Sequence, residues 1–225
     1  MSKERQVTVT CPHCKGKFSC TGWDSINTET DPTLAHQLMH GDPFTVHCPH
    51  CSRPVTPNYP TLWHDMKHHV MIQYTASDDE DVIAEHIKSA EEAFEHFRKM
   101  GITVKTELRI VTDRVELREK ALIFNEGLDD RVIEMMKLII LSTLDRQKDE
   151  MPGELRFFVS NKERGFVAVS DAGQLMGTVP FLNDMYSDFV QLMTFEDDET
   201  DDYFVNIGWA ADYLQAHPTL FDDVD

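Results

Sequence analysis

Cys11-Pro12-His13-Cys14 and Cys48-Pro49-His50-Cys51 are one tetrapeptide written twice, with 33 residues between Cys14 and Cys48. A Cys-x-x-Cys step places both sulfurs on one side of a tight turn, where backbone amides can hydrogen-bond them. Two such turns supply the four thiolates of a tetrahedral metal site. Pro12 and Pro49 stiffen the turns by fixing φ, and Gly16 provides a small residue just after the first. The intervening segment is long enough for a helix and a returning strand that bring the turns together. The expectation is one structural zinc ion on Cys11, Cys14, Cys48 and Cys51.

A second chemistry uses the same letters, because Cys-Pro-His-Cys is also the active-site tetrapeptide of some disulfide-forming oxidases. Such enzymes set the first Cys at a helix N-terminus, which lowers its pKa. Here the pairs run into Lys15-Gly16 and Ser52-Arg53-Pro54, neither of which opens a helix. Duplication of the block also suits four ligands better than a two-thiol catalyst. The fifth cysteine, Cys20, reads as a small buried hydrophobe rather than a nucleophile.

Charge is unevenly placed. Residues 1–76 hold six Lys or Arg against six Asp or Glu, while residues 77–225 hold fifteen against thirty-four and carry the whole −19. The front third also holds eight of the eleven histidines. So acidic a back half repels phosphate backbones, and nucleic-acid binding is not expected. No apolar run approaches the ~18 residues of a membrane span. The polar start Met1-Ser-Lys-Glu-Arg-Gln leads straight into strand-like Val7-Thr-Val9, unlike a secretory signal, so the expected compartment is the cytoplasm.

Local signals give the rest of the layout. Asp31-Pro32 caps and opens a short helix over 33–39, closed by Gly41. Pro54, Pro57 and Pro60 keep their passage extended, and 62–74 reads as a strand, an irregular segment or a short helix. Ser77 is the expected cap of a helix whose Ile83, Ile87, Ala90, Phe94 and Phe97 line one face, with Gly101 at its end. Val104 to Ile110 alternates like a strand. A helix over 129–146 has only a thin polar stripe (Arg131, Glu134, Ser142, Asp145), so it is a central helix or a subunit contact. Short strands at 155–159, 166–169 and 175–179 form a meander, followed by helical patches at 181–193 and 209–216. The fold class is α+β: an N-terminal zinc ribbon over 1–76 packed on an acidic α+β domain over 77–225. Its antiparallel sheet is expected to include both 104–111 and 155–179.

Several further residues match a pattern: Phe18, Ser25-Ile26-Asn27, Pro32, Leu34, Gly41, Tyr59-Pro60, Trp63-His64-Asp65 and, weakly, Glu116-Leu117 and Leu128-Asp129-Asp130. With the two Cys-Pro-His-Cys blocks, they make the first 140 or so residues similar to the CpXC-domain proteins of bacteria and archaea. That family is named for its two Cys-Pro-x-Cys motifs. Lys15 departs from the pattern where a Gly often follows the first pair, which alters a knuckle but removes no ligand. The resemblance implies a metal-binding domain and adds no reaction.

Other donors are weaker candidates. His64, Asp65, His68 and His69 could hold a second metal, since residues four apart meet on a helix face, but no glutamate base accompanies them. The acidic run Glu196 to Asp202 lacks the spacing and central Gly of a calcium loop. The functional expectation is a zinc-binding, non-catalytic module for protein interaction or regulation, with a protein partner or self-association. The alternative is an enzyme: a metal-dependent hydrolase built on His64, Asp65, His68 and His69, or a thiol-disulfide oxidoreductase using Cys-Pro-His-Cys.

Overall fold

In the computed structural model, residues 2–101, 105–143, 152–193 and 202–221 are described. The chain divides into two compact units, Met1–Ala121 and Leu122–Asp225.

The first unit begins with a hairpin of β1 (Lys3–Thr10) and β2 (Lys17–Asn27), paired antiparallel up to Thr10 and Lys17. The buried side chain of Asn27 then turns the chain by accepting the amides of Glu29 and Thr30. Helix α1 (Pro32–His40) follows, with the Asp31 carboxylate accepting the Leu34 amide at 3.1 Å and Pro32 in the first turn, as the sequence leads one to expect. A two-residue ladder of β3 (Val46–His47) and β4 (Pro54–Val55) carries the second cysteine pair.

The ambiguous stretch 62–74 is a hairpin, β5 (Thr61–Asp65) and β6 (Val70–Tyr74), paired antiparallel. Thr61, Trp63, Asp65, Val70, Ile72 and Tyr74 are all buried, so the two-residue period of one covered sheet face decides between strand and helix here. Helix α2 (Glu80–Lys99) then leads to β7 (Glu107–Val111). Its cap is Asp79, whose carboxylate accepts the amides of Asp81 and Val82, rather than Ser77, which accepts the Asp79 amide one step earlier. Ile83, Ile87, Ala90 and Phe94 on its apolar face are only half-buried.

The large sheet has the order β1-β2-β5-β6-β7. Its β2–β5 and β6–β7 pairs are parallel. β7 therefore belongs to the N-terminal sheet and does not join the meander. A parallel neighbour needs a crossover connection, and α2 provides one between β6 and β7. Val104 lies outside the described residues.

α3 (Arg114–Asn125) follows β7 and runs through the boundary between the units. It was not evident in the sequence, because its buried set includes Glu119 and Lys120 beside Leu117, Ala121, Leu122, Ile123 and Phe124, which blurs the apolar stripe.

In the second unit α4 (Asp130–Thr143) packs against α5 (Asn183–Leu192), α6 (Ile207–Ala216) and β8 (Glu154–Ser160). It is the central helix of that unit. Residues 144–146 of its expected span lie outside the described residues. Glu134, assigned to the polar stripe by sequence, is buried and bonded to Lys137 at 2.9 Å. β8, β9 (Glu163–Val169) and β10 (Leu175–Pro180) make the expected antiparallel meander in the order β10-β9-β8. The class is α+β. No helix among the described residues is long and apolar enough to cross a membrane.

The compact units do not divide where the composition does. The boundary falls at 121/122 rather than near 77 because β7, encoded beyond the composition break, hydrogen-bonds to β6 before it. Recounted on the units, the first holds 14 Lys or Arg against 18 Asp or Glu, and the second 7 against 22. Acidity is thus concentrated in the second unit.

The Glu134–Lys137 pair gives a stability test. Lys137→Ala leaves a buried carboxylate without its cation and is expected to cost about 3–5 kcal/mol. Glu134→Leu combined with Lys137→Met removes both charges and is expected to restore most of that loss. The midpoint of urea unfolding reads both variants.

Candidate metal centre

The two cysteine pairs occupy the tips of two hairpins. Residues 11–16 close β1 onto β2, and residues 48–53 close β3 onto β4. The two tips repeat one hydrogen-bond pattern. The Cys11 amide donates to the Gly16 carbonyl and the Lys15 amide to the Cys11 carbonyl, both at 2.9 Å. In the second tip the Cys48 amide donates to Arg53 at 3.0 Å and the Ser52 amide to Cys48 at 2.8 Å. Lys15 and Ser52 hold the same place in this pattern, and both are left-handed, with φ of 61° and 58°. Gly is the residue that takes such a conformation at least cost. Lys15 adds a bond from its Nζ to the Pro12 carbonyl at 3.0 Å.

All four cysteines point to one spot. Cys11 Sγ lies 3.7 Å from Cys51 Sγ, Cys14 Sγ lies 3.7 Å from Cys48 Sγ, and all four sulfurs fall within 4.8 Å of one another. A tetrahedral ion bonded to four thiolates at about 2.3 Å has sulfur–sulfur edges of about 3.8 Å. The residues present therefore fit a four-coordinate metal ion.

Cys11 and Cys48 are buried, and with Val9 and Val55 they form a small apolar cluster that Val7, Phe18, Cys20 and Val46 extend. Burial opposes the Cys11 thiolate, but the amides of Cys14 and His13 and the neighbouring thiols bring its pKa down to about 6. The Arg53 amide favours the Cys51 thiolate, yet burial and the other three sulfurs push that pKa up to about 11. Four thiolates this close repel one another, and a cation removes the conflict.

Neither pair opens a helix, since a turn and then a strand follow each. Cys20 is half-buried in the apolar cluster, with its Sγ directed at the Val7 carbonyl and its pKa raised by burial. That environment makes it a packing residue and a poor nucleophile.

The sequence did not reveal the role of His50. Its Nε2 donates to the Lys17 carbonyl at 3.1 Å, linking the second tip to the first. Its ring also covers Gly16, where an added Cβ would lie 2.6 Å from His50 Cδ2. Gly16 is thus needed for the close approach of the other tip, beyond any demand of its own turn.

His64, Asp65, His68 and His69 do not converge. Among the described residues, the cysteines alone bring three or more His, Cys, Asp or Glu donor atoms within that distance. His64 and Asp65 are consecutive in β5, so their side chains leave opposite faces of the strand. The half-buried His64 is held below its usual pKa by desolvation, then by the positive N-terminus. Buried Asp65 instead organises the turn between β5 and β6. Oδ1 accepts the amides of Lys67 and His68 and the Thr28 hydroxyl, and Oδ2 receives His68 Nδ1 at 2.7 Å. Within the acidic run 196–202, residues 196–201 lie outside the described residues.

A family model described as CpXC protein matches residues 9–137, more than half of the chain. The chain belongs to the CpXC family. The CpXC match takes in both hairpin tips, the last two residues of β1, all of β2, β5, β6 and β7, and the first part of α4. No curated protein and no solved structure matches the chain.

The two tips of this CpXC chain differ in what supports them. The β3–β4 ladder is only two residues long on each side and cannot stand alone, whereas β1–β2 is part of a five-stranded sheet. Cys11→Ser should therefore release the metal and expose the amides of residues 46–55 to hydrogen exchange, while β5–β6 stays protected. A chain that kept its metal and that protection would contradict the four-ligand reading. Lys15→Gly relieves a left-handed side chain at some cost in unfolded-state entropy, for a net gain of roughly 0.5 kcal/mol. Gly16→Ala should lower the melting temperature by displacing His50.

Proposed function

We propose that the chain is a zinc-binding, non-catalytic module of the cytoplasm that acts by binding protein, either a partner or another copy of itself. The observation that carries the zinc half is the closed donor set: four sulfurs within 4.8 Å of one another, two of the edges at 3.7 Å, would leave no coordination position for water or substrate on a four-coordinate ion. Thiolates are soft ligands, and a tetrahedral set of four suits zinc, which has no redox chemistry of its own. The ion so held ties two hairpins together.

Support for the interaction half comes from the second unit. It carries most of the negative charge and also exposes Leu175, Met176, Leu182, Val190, Phe204 and Ile207. Apolar side chains in an acidic surface suit a partner with apolar residues rimmed by Lys or Arg. The same charge disfavours nucleic acid.

Elemental analysis of the purified chain, with titration of its accessible thiols, tests the zinc reading. One equivalent of zinc is expected, with Cys11, Cys14, Cys48 and Cys51 unreactive until a strong chelator is added. Iron in place of zinc, or a cysteine pair that cycles readily between thiol and disulfide without metal, would overturn it. The second result would turn the reading toward an oxidoreductase.

A further inference from the structure

Helix α1 presents two imidazoles one turn apart. His36 and His40 are both exposed, their ring centres are 4.4 Å apart and their planes are tilted by 44°. The opposite side of the helix is fixed in place: Leu34, Ala35, Leu38 and Met39 are buried. Its first turn is capped by Asp31, and Arg118 Nε donates to the Met39 carbonyl in its last turn at 2.9 Å. The backbone that carries the two rings is therefore held, and only side-chain torsions remain to be set.

Residues four apart on a helix are neighbours on one face, and a pair of histidines at that spacing can share one ion. Two imidazoles bonded to an ion at about 2.1 Å and at roughly a right angle have ring centres about 4.5 Å apart. The observed separation of the ring centres is close to that value, so the helix already carries the two imidazoles within chelating reach of one ion. We propose that His36 and His40 form a second, bidentate site for a borderline divalent ion such as nickel(II), copper(II) or zinc(II). Two nitrogen ligands leave the remaining positions to water, so this ion exchanges, unlike one enclosed by four thiolates. The site is independent of the proposed zinc function, because it uses different residues and a different ligand class.

The test uses the full chain with its cysteine centre loaded with zinc, dialysed against nickel(II), which competes poorly for four thiolates. One nickel is expected in addition to the retained zinc. His36→Ala and His40→Ala should each weaken nickel binding by more than the roughly tenfold that loss of an outer-shell partner costs. Both variants should keep the zinc, since neither side chain is part of the buried face of α1, and the metal-free melting profile of each serves as its own reference. Gln37→Ala, an exposed neighbour, should bind nickel like the parent. An isotherm unchanged in both histidine variants, or no nickel taken up by the parent chain, would overturn the proposal.

Discussion

Convergence of four sulfurs from two hairpin tips is the constraint on which the N-terminal unit depends. The tips are separated in sequence by all of β2 and α1, and bringing them together fixes where the intervening chain can run. The β3–β4 ladder is too short to persist without that anchor. Only a small apolar cluster lies beneath the cysteines, so packing there supplies little stability, and an ion held by the four sulfurs would add to it. His50 adds a second link between the tips through the Lys17 carbonyl and its contact over Gly16.

Away from the cysteines, two parallel strand pairs hold the five-stranded sheet together. β5 and β6 sit between β2 on one side and β7 on the other, each reached by a crossover. Asp65 serves this sheet by accepting four hydrogen bonds, from the Thr28 hydroxyl, the Lys67 and His68 amides and His68 Nδ1, so that both carboxylate oxygens are engaged. A buried carboxylate bonded through both oxygens is a structural group. The same logic applies to Glu134 and Lys137 in α4, whose mutual bond offsets the cost of burying both charges.

Much of the layout was legible in the residues. Asp31-Pro32 marked the start of α1, Gly101 with φ of 82° marked the end of α2, and a run of short β segments marked the meander. The near-complete apolar circumference of α4 announced a central helix or a subunit contact, and packing against α5, α6 and β8 makes it the former within its unit. Helix α3 was missed because Glu119 and Lys120 are buried with its apolar residues, and burial of charge breaks the pattern by which helices are recognised. The His64 group was suggestive only under a helical period; as part of a strand and a turn, the same residues point apart.

By itself the sequence determined the candidate metal donors, because a Cys-x-x-Cys step is a local device whose turn places both sulfurs. It also determined the helices whose caps and faces are written within a few residues. Only the tertiary structure decided which strands share a sheet, that β7 joins β6 and not the meander, and that Gly16 must make room for His50. Backbone hydrogen bonds are alike along every strand edge and carry no address, so strand partnership is settled by the burial of the whole sheet. The left-handed backbone at Lys15 and Ser52 was likewise decided by closure of the tips, since neither residue type demands it.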